Sequence, residues 1–218
     1  MNAYELESIL PAPVERKTRA GEFGKRLLDI VGALVGLVLF SPVFLVAAMA
    51  VKLDSPGPVI YRRRVMARGG GQFDAYKFRT MVVNGDEVLA AHPELLARWR
   101  REQKLENDPR VTRVGKWLRK FSIDELPQLV NVLKGEMSLV GPRMIAPVEM
   151  AHFGAYAQER LSVKPGLTGL WQIAGRADLP YDQRLIYDIR YVRTRTLWLD
   201  VKIILLTIPA VLFGRGAY

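Results

Sequence analysis

Two adjacent acids, Asp124 and Glu125, follow a strongly basic stretch in the sequence RVTRVGKWLRKFSIDELPQ, residues 110–128. Adjacent carboxylates suit one divalent cation, above all Mg²⁺, which takes one or two carboxylates and fills its shell with phosphate oxygens and water. A carboxylate can also be a covalent nucleophile that forms an acyl phosphate. The alternative is structural, because acids at a helix N-terminus cap backbone N–H groups. The pair is therefore either a helix cap or part of a phosphate-handling site.

Basic side chains from separate segments could join the acids. Four of them are candidates for binding substrate phosphates: Arg119, Arg143, Lys77 and Arg79. Arginine and lysine hold phosphate oxygens through charge-assisted hydrogen bonds. Nearby cations also favour the ionised form of a carboxylate, so we expect the pKa of Asp124 to be depressed.

The acids open a segment, residues 122–135, that has a helical pattern. Apolar residues recur at the helical spacing i, i+3, i+4, i+7: Leu126, Leu129, Val130 and Leu133. Gly135 suits the end of this helix, since glycine adopts the left-handed conformation without strain. Two starting positions are possible for this helix. Ser122 and Glu125 fit a capping box, whereas Pro127 suits the first helical position.

Composition narrows the classes of protein and partner. The chain has 218 residues, enough to bury a core, and its formal net charge is +10. This charge favours a polyanionic partner, such as nucleic acid, anionic lipid headgroups or phosphorylated small molecules. Because the chain has no cysteine, it has no disulfide, thiolate metal site or cysteine nucleophile.

An uncharged run of 22 residues, Ile30–Val51, has three interpretations. A straight helix of this length is about 33 Å long and could cross a bilayer core of about 30 Å. A secretory signal fits less well, because the basic start at Lys25 and Arg26 is late and the apolar region is long. The third interpretation is a helix-break-helix that enters and leaves by one face, since Ser41-Pro42 lies mid-run and proline kinks helices.

Basic residues flank this run on both sides, with Arg62, Arg63 and Arg64 among those that follow it. The positive-inside rule places both flanks in the cytoplasm, which one straight span does not satisfy. That rule is statistical, and membranes tolerate Pro-kinked spanning helices. The residues alone leave the kinked span and the re-entrant helix equally open.

The remaining patterns predict an α+β fold that is mostly helical. The segments VIYRRRV and FDAYKFRTM flank three glycines, residues 69–71, and predict a small β-hairpin. Residues 85–106 predict an amphipathic helical region interrupted near Pro93, and residues 181–196 predict a surface helix. The C-terminal run Ile203–Phe213 is too short to span a bilayer and predicts an interfacial or core-packed helix.

Three motifs carry a family resemblance: YKFRTM, NDPRVTRVGKWLRKFSIDELPQLVNVLKGEMSLVGPR and KPGLTGLWQIAGR. They resemble those of the bacterial sugar transferase family, the monotopic polyprenyl-phosphate phosphoglycosyl transferases, from about Phe23 to the C-terminus. The resemblance implies transfer of sugar 1-phosphate from a UDP-sugar to polyprenyl (undecaprenyl) phosphate, with release of UMP, at the first membrane step of exopolysaccharide or glycoconjugate synthesis. It also implies a ping-pong mechanism with Mg²⁺ as cofactor.

The resemblance implies roles for particular residues. Asp124 would be the nucleophile that forms a covalent phosphosugar, and Glu125 would assist Mg²⁺ coordination beside it or act on the acceptor. Arg119 and Arg143 would hold phosphate groups, with Lys77 nearby.

The motif WQIAGR adds two candidates for donor binding, Gln172 and Arg176, unless this loop is only structural. Two positions depart from the family pattern. Met144 replaces the usual proline after GPR, and Glu136 replaces the commoner aspartate.

The resemblance also favours one form of the membrane segment, because the family carries a re-entrant helix broken at Ser-Pro, which Ser41-Pro42 matches. We therefore predict a basic N-terminal segment (1–22), a re-entrant membrane helix (23–53) and a cytoplasmic, membrane-associated catalytic domain (54–218). The expected location is the cytoplasmic face of the bacterial inner membrane, in contact with lipid, and a homodimer is compatible with the sequence. A membrane-anchored protein that binds nucleic acid or anionic lipid without catalysis is the alternative, although no nucleic-acid recognition module is recognisable.

Overall fold

The computed structural model describes residues 8, 10–12, 19–102, 105, 107–175 and 179–212. Its helices are α1 (Arg19–Leu39), α2 (Ser41–Asp54), α3 (Gly85–Ala90), α4 (Pro93–Glu102), α5 (Arg113–Lys120), α6 (Gln128–Lys134), α7 (Ala157–Arg160), α8 (Leu170–Ala174), α9 (Tyr181–Thr194) and α10 (Leu197–Leu212). The strands are β1 (Ile60–Met66), β2 (Gln72–Phe78), β3 (Ser138–Val140) and β4 (Gly166–Thr168), and 3₁₀ segments cover Arg68–Gly70, Ile123–Glu125 and Pro147–Tyr156. The mostly helical α+β fold with a β-hairpin is confirmed.

The first two helices are separated by a sharp bend at Phe40, directly before Ser41-Pro42. The axes of α1 and α2 differ by 62°. Pro42 lies in the first turn of α2, where its missing N–H costs no helical hydrogen bond, and the Ser41 hydroxyl donates to the Val38 carbonyl at 2.8 Å. The predicted break at Ser41-Pro42 is therefore confirmed.

Apolar side chains cover the outer faces of this bent pair. Those with half or more of their surface exposed are Phe23, Leu27, Val31, Leu34, Val35, Val38, Leu39, Leu45, Val46, Met49 and Leu53. Among the described residues, no single helix is long and apolar enough to cross a membrane, but α1 and α2 together satisfy that test as a bent pair.

The inner face of α1 is tied to the rest of the fold by charged side chains. Arg26 donates to the carbonyls of Val132 and Leu133 in the last turn of α6, at 2.6 and 2.7 Å. A cation at this position is favourable, because the last carbonyls of a helix are unpaired and form the negative end of its dipole. Lys25 forms an ion pair of 2.8 Å with Asp200 of α10. The start of α1 is therefore held against the C-terminal half of the chain.

The hairpin is antiparallel, with Lys77 opposite Tyr61, and Gly69 and Gly70 take positive φ in the turn. Asn131 of α6 docks onto β2, because its side chain accepts from the Tyr76 N–H and donates to the Asp74 carbonyl. The main core lies where the hairpin, α6, β3, α9 and α10 meet, with Val65, Phe73, Leu129, Val132, Met137, Tyr191 and Ile203 among its buried residues. This packing sets the hairpin beside the helix that follows the acid pair.

The later helices test three sequence predictions. The helical region 85–106 is confirmed as α3 and α4, which are separated just before Pro93. The surface helix predicted at 181–196 is confirmed as α9, which exposes Asp182, Gln183 and Arg190. Its other face packs into the core, with Leu185, Ile189 and Tyr191 buried. The C-terminal helix α10 packs Ile203 into the core and leaves Trp198, Leu205 and Ile208 exposed, so it is both core-packed and apolar outside.

Candidate active site

The acid pair lies in the 3₁₀ turn Ile123–Glu125 between α5 and α6. Ser122 directly before it has left-handed dihedrals (φ 55°), which are uncommon for residues other than glycine, and its side chain forms no capping hydrogen bond. The capping-box start predicted at Ser122 is therefore wrong. The other predicted start is confirmed within one residue, because α6 begins at Gln128 after Pro127 and ends at Gly135, which is left-handed (φ 82°).

Glu125 is the centre of a buried ion network. Arg143 donates through both terminal nitrogens, Nη1 to Oε2 at 3.1 Å and Nη2 to Oε1 at 2.5 Å. Lys77 Nζ donates to Oε1 at 2.7 Å. Burial alone raises the pKa of Glu125, but the charges of Arg143 and Lys77 outweigh it and hold that pKa well below its usual range. Glu125 is therefore ionised, and both of its oxygens are occupied.

Asp124 is equally buried but lacks close partners. Within the described residues no hydrogen-bond donor reaches its carboxylate, and the nearest cation is Lys77 Nζ, 3.6 Å from Oδ2. Burial raises the pKa of Asp124, the charge of Lys77 opposes this, and the negative charge of Glu125 adds to it. The predicted depression of this pKa is wrong, because the cations that would cause it make their short contacts with Glu125. Asp124 keeps its oxygen lone pairs available for a ligand.

Arg119 reaches the site from the last turn of α5. Its Nε donates to the hydroxyl of Thr80 at 2.9 Å. Burial lowers the pKa of Arg119, and the charge of Asp124 opposes that shift. The structure thus brings three of the four predicted cations, Lys77, Arg119 and Arg143, around the acid pair.

Arg79 does not join them. Its guanidinium donates to the Pro58 carbonyl at 2.7 Å, to the Ser55 hydroxyl at 2.7 Å and to the Ser55 carbonyl at 2.8 Å. These contacts hold the chain just after α2, and the Arg79 residue is only 6% exposed. The expectation that Arg79 binds a substrate phosphate is therefore corrected, because its guanidinium donates to Ser55 and Pro58 of the same chain.

The backbone of Arg143 is fixed from behind by a buried ion pair. Its carbonyl accepts a hydrogen bond from Arg160, and Arg160 Nε lies 3.0 Å from Asp188 Oδ2. The guanidinium of Arg143 also lies over the ring of the buried Trp171, 5.7 Å from its centroid. The sequence interpretation missed Arg160 and Asp188, because nothing in the local pattern pairs residues 28 positions apart.

The motif WQIAGR lies beside the same turn. Gln172 is buried in α8, and within the described residues neither end of its side-chain amide has a hydrogen-bond partner. A side chain added at Gly169 would meet both the Gln172 Oε1 atom and the Gly141 carbonyl, so Gln172 lies near the turn that carries Arg143. Buried amides are normally paired, so Gln172 is a candidate contact for a bound molecule. The other candidate in the motif, Arg176, lies outside the described residues.

The acid pair can hold a metal ion only if a bound substrate and water supply the remaining metal ligands. The described part of the chain has no group of three or more His, Cys, Asp or Glu side chains that could hold an ion. Asp124 offers free oxygens, whereas those of Glu125 contact Arg143 and Lys77. This donor set fits Mg²⁺, which is commonly held by one or two carboxylates together with substrate phosphates and water.

Comparison with known proteins assigns the family. The sequence model of the bacterial sugar transferases matches residues 20–214. The chain belongs to the bacterial sugar transferase family. The transferase is 46% identical over 202 residues to the exopolysaccharide production protein ExoY of Rhizobium meliloti strain 1021, covering 91% of this chain and 89% of the relative.

Two further relatives carry names that specify a reaction. The undecaprenyl-phosphate galactose phosphotransferase of Salmonella typhimurium strain LT2 is 46% identical to the transferase over 92% of this chain and 43% of the relative. The UDP-glucose:undecaprenyl-phosphate glucose-1-phosphate transferase of Caulobacter vibrioides strain CB 15 is 43% identical over 91% of this chain and 73% of the relative. All three matches cover about nine tenths of the transferase.

Asp188 behind Arg143 gives a pH-dependent prediction. Burial raises the pKa of Asp188 to about 6, against the opposing charge of Arg160. A carboxyl whose pKa is raised on folding stabilises the protein below its unfolded pKa, and this contribution is lost as the pH rises through the folded pKa. We expect the stability of the wild type relative to Asp188→Asn to fall by about 1 kcal/mol between pH 5 and pH 7.5.

Denaturant unfolding of the two proteins at both pH values measures this difference. Asp182→Asn is the matched control, because Asp182 lies on the same helix but is exposed. A difference between the wild type and Asp188→Asn that stays constant over this pH range would contradict the raised pKa.

Proposed function

We propose that the chain is a phosphoglycosyl transferase that moves sugar 1-phosphate from a UDP-sugar to undecaprenyl phosphate and releases UMP. Support comes from the names of the Salmonella and Caulobacter relatives, which specify undecaprenyl-phosphate sugar phosphotransfer. The ExoY relative adds exopolysaccharide production as the context. The observation that carries the proposal is the unequal acid pair. Arg143 and Lys77 donate hydrogen bonds to both oxygens of Glu125, whereas Asp124 accepts none and has its nearest cation 3.6 Å away.

In this proposal the reaction is two displacements at one phosphorus atom. An Asp124 oxygen attacks the phosphorus that carries the sugar, the bond from that phosphorus to the UMP oxygen breaks, and UMP leaves. The phosphate oxygen of the polyprenyl acceptor then attacks the same phosphorus and displaces the Asp124 carboxylate. Covalent catalysis of this kind divides one difficult exchange into two easier steps. Neither step needs a proton, because the attacking and leaving oxygens are anionic.

The environment of Asp124 suits a nucleophile. A carboxylate without hydrogen-bond donors loses less solvation when it attacks, and burial with an adjacent negative charge makes it more basic. Glu125, by contrast, holds Arg143 and Lys77 in place, and we infer that these two cations receive the donor phosphates. Positioned cations stabilise the charge that develops during phosphoryl transfer.

In this proposal Asp124 would be the protein ligand that holds Mg²⁺, together with phosphate oxygens of the substrate and water, and Glu125 would lie beside it. When bound, the ion neutralises phosphate charge. Arg119, which interacts electrostatically with Asp124, is a further candidate phosphate ligand. Gln172, with its unpaired buried amide, is the candidate contact for the sugar or nucleotide part of the donor.

We also propose that the bent pair α1–α2 is a re-entrant membrane anchor, with the catalytic part on the cytoplasmic face of the inner membrane. Its support is the bend at Ser41-Pro42 and the exposed apolar surface of both helices. The outer face of α10, with Trp198, Leu205 and Ile208, adds apolar surface that suits the membrane interface. This location gives a soluble nucleotide donor and a membrane-bound acceptor access to the same site.

The acid pair gives the first functional prediction. Asp124→Asn should reduce UMP release at least about 1000-fold, because it removes the nucleophile. Glu125→Gln should reduce it about 10- to 100-fold, because the positions of Arg143 and Lys77 are loosened while the nucleophile remains. The measurement is UMP release by purified protein with Mg²⁺, UDP-glucose or UDP-galactose, and undecaprenyl phosphate.

Asp182→Asn, an exposed acid on α9, is the control and should keep wild-type activity. Thermal unfolding of Asp124→Asn separates lost chemistry from lost folding. This variant should be at least as stable as the wild type, because it removes a buried charge that accepts no hydrogen bond, and Lys77 keeps its shorter contact with Glu125. Full activity of folded Asp124→Asn would exclude it as the nucleophile.

The anchor gives a topology prediction. The chain has no cysteine, so single cysteines at the exposed residues Ala20, at the start of α1, and Ala91, after α3, can be labelled selectively. A re-entrant helix keeps both on the cytoplasmic side, so a membrane-impermeant maleimide should label neither in intact cells and both after lysis. A protein with a periplasmic cysteine is the positive control. Labelling of Ala20→Cys in intact cells would show a spanning helix instead.

A further inference from the structure

A second cationic site lies at the start of α1, in a pocket that includes neither acid of the active site. Five basic side chains line this pocket, named here the α1 pocket: Lys25, Arg26, Arg68, Lys164 and Arg195. They come from α1, the hairpin turn, the segment before β4 and the segment before α10, so the fold brings together cations that are distant in sequence.

The carboxylates in the pocket do not balance these cations. Glu22 is shared, since it lies 2.6 Å from Arg195 and 3.8 Å from Arg68. Asp29 also lines the pocket, but one of its oxygens accepts hydrogen bonds from the Ser138 hydroxyl and the Leu139 N–H. Arg26 donates to neutral carbonyls, so its hydrogen bonds are satisfied but its positive charge is not neutralised by a carboxylate. Positive charge therefore remains in a partly enclosed space.

Lys164 is the cation of this pocket that most favours a bound anion. Within the described residues its ammonium makes neither a hydrogen bond nor an ion pair, although the side chain is partly buried. Lys164 Nζ and Arg26 Nη2 both lie near Gly135, at 3.5 and 3.6 Å from the position that a Cβ atom would take there. Burial lowers the pKa of Lys164, the charge of Arg26 lowers it further, and the negative charge of Asp29 opposes both without outweighing them. Two cations that line the same pocket favour an anion beside them.

The pocket also adjoins exposed apolar surface. Phe23 and Leu27 lie on the neighbouring face of α1 and are 72% and 52% exposed. Leu197 packs against Gly24, and Trp198 beside it is 77% exposed. An anion that binds here therefore has room for an apolar part along α1, as an amphiphile with a charged headgroup would need.

We propose that the α1 pocket binds a phosphate group, held by Lys164 with Arg26, Arg68 and Arg195, at a site separate from the acid pair. Phosphate fits because several guanidinium and ammonium donors surround one space and a phosphate offers oxygens in several directions. The same chemistry is present in free phosphate and in the phosphodiester of an anionic lipid. The adjoining apolar surface favours the lipid as the source.

Competitive acetylation with trace acetic anhydride tests this site directly, because the modification of each lysine is read by peptide mass spectrometry. The full chain in detergent is acetylated in the presence of increasing concentrations of inorganic phosphate, dihexanoyl phosphatidylglycerol or dihexanoylglycerol. KCl at matched ionic strength is added instead in a further series. A ligand at ten times its dissociation constant should slow acetylation of Lys164 about tenfold, by mass action. Lys116, an exposed lysine on α5, is the control and should be unaffected.

Saturable protection by phosphatidylglycerol alone assigns the site to a lipid phosphate, and protection by inorganic phosphate as well assigns it to phosphate groups in general. Arg68→Gln should then require about tenfold more ligand for equal protection, because it removes charge-assisted hydrogen bonds. Arg113→Gln, an exposed arginine on α5, should leave the titration unchanged. Unchanged labelling of Lys164 with both phosphate ligands, or equal protection by KCl or of Lys116, would overturn the proposal.

Discussion

The buried contact of Glu125 with Arg143 and Lys77 is the interaction on which the site depends. Removing a carboxylate from water costs several kcal/mol, about the amount that a close, well-hydrogen-bonded cation partner can restore. Glu125 has two such partners, one from the hairpin and one from the turn after β3. The hairpin, α6 and β3 must therefore keep their mutual positions, and the Asn131 contacts to β2 and the Arg160 contact to Arg143 serve that requirement.

The same contact makes the two acids unequal. Adjacent carboxylates in a buried space cannot both be stabilised by a limited number of cations, because each raises the pKa of the other. Glu125 takes the short contacts, and Asp124 is left with one cation at 3.6 Å. Glu125 is thus held in place by its two cations. Asp124 remains a more basic carboxylate that accepts no hydrogen bond and lies close to positive charge. This division of roles between neighbouring carboxylates fits phosphoryl transfer through a covalent intermediate.

Local rules predicted the parts of the fold that local chemistry determines. The bend at Ser41-Pro42 follows from the missing proline donor, the end of α6 at Gly135 from left-handed glycine, and the hairpin from three glycines between strand-like segments. Arg79 shows where such rules fail. It is two residues after Lys77 and would share its face in a strand, but β2 ends at Phe78 and the chain turns away. The Arg160–Asp188 pair and the assignment of cations to Glu125 rather than Asp124 depend on contacts between distant segments, which no sequence spacing indicates.

The central claim is that Asp124, not Glu125, carries the sugar phosphate between donor and acceptor. The most direct measurement is tandem mass spectrometry of protein quenched after reaction with a UDP-sugar and Mg²⁺ without acceptor. The account predicts a sugar-phosphate adduct on Asp124, with UMP released in equal amount, and loss of that adduct when undecaprenyl phosphate is added. An adduct on Glu125, or release of UMP only after acceptor is added, would contradict it.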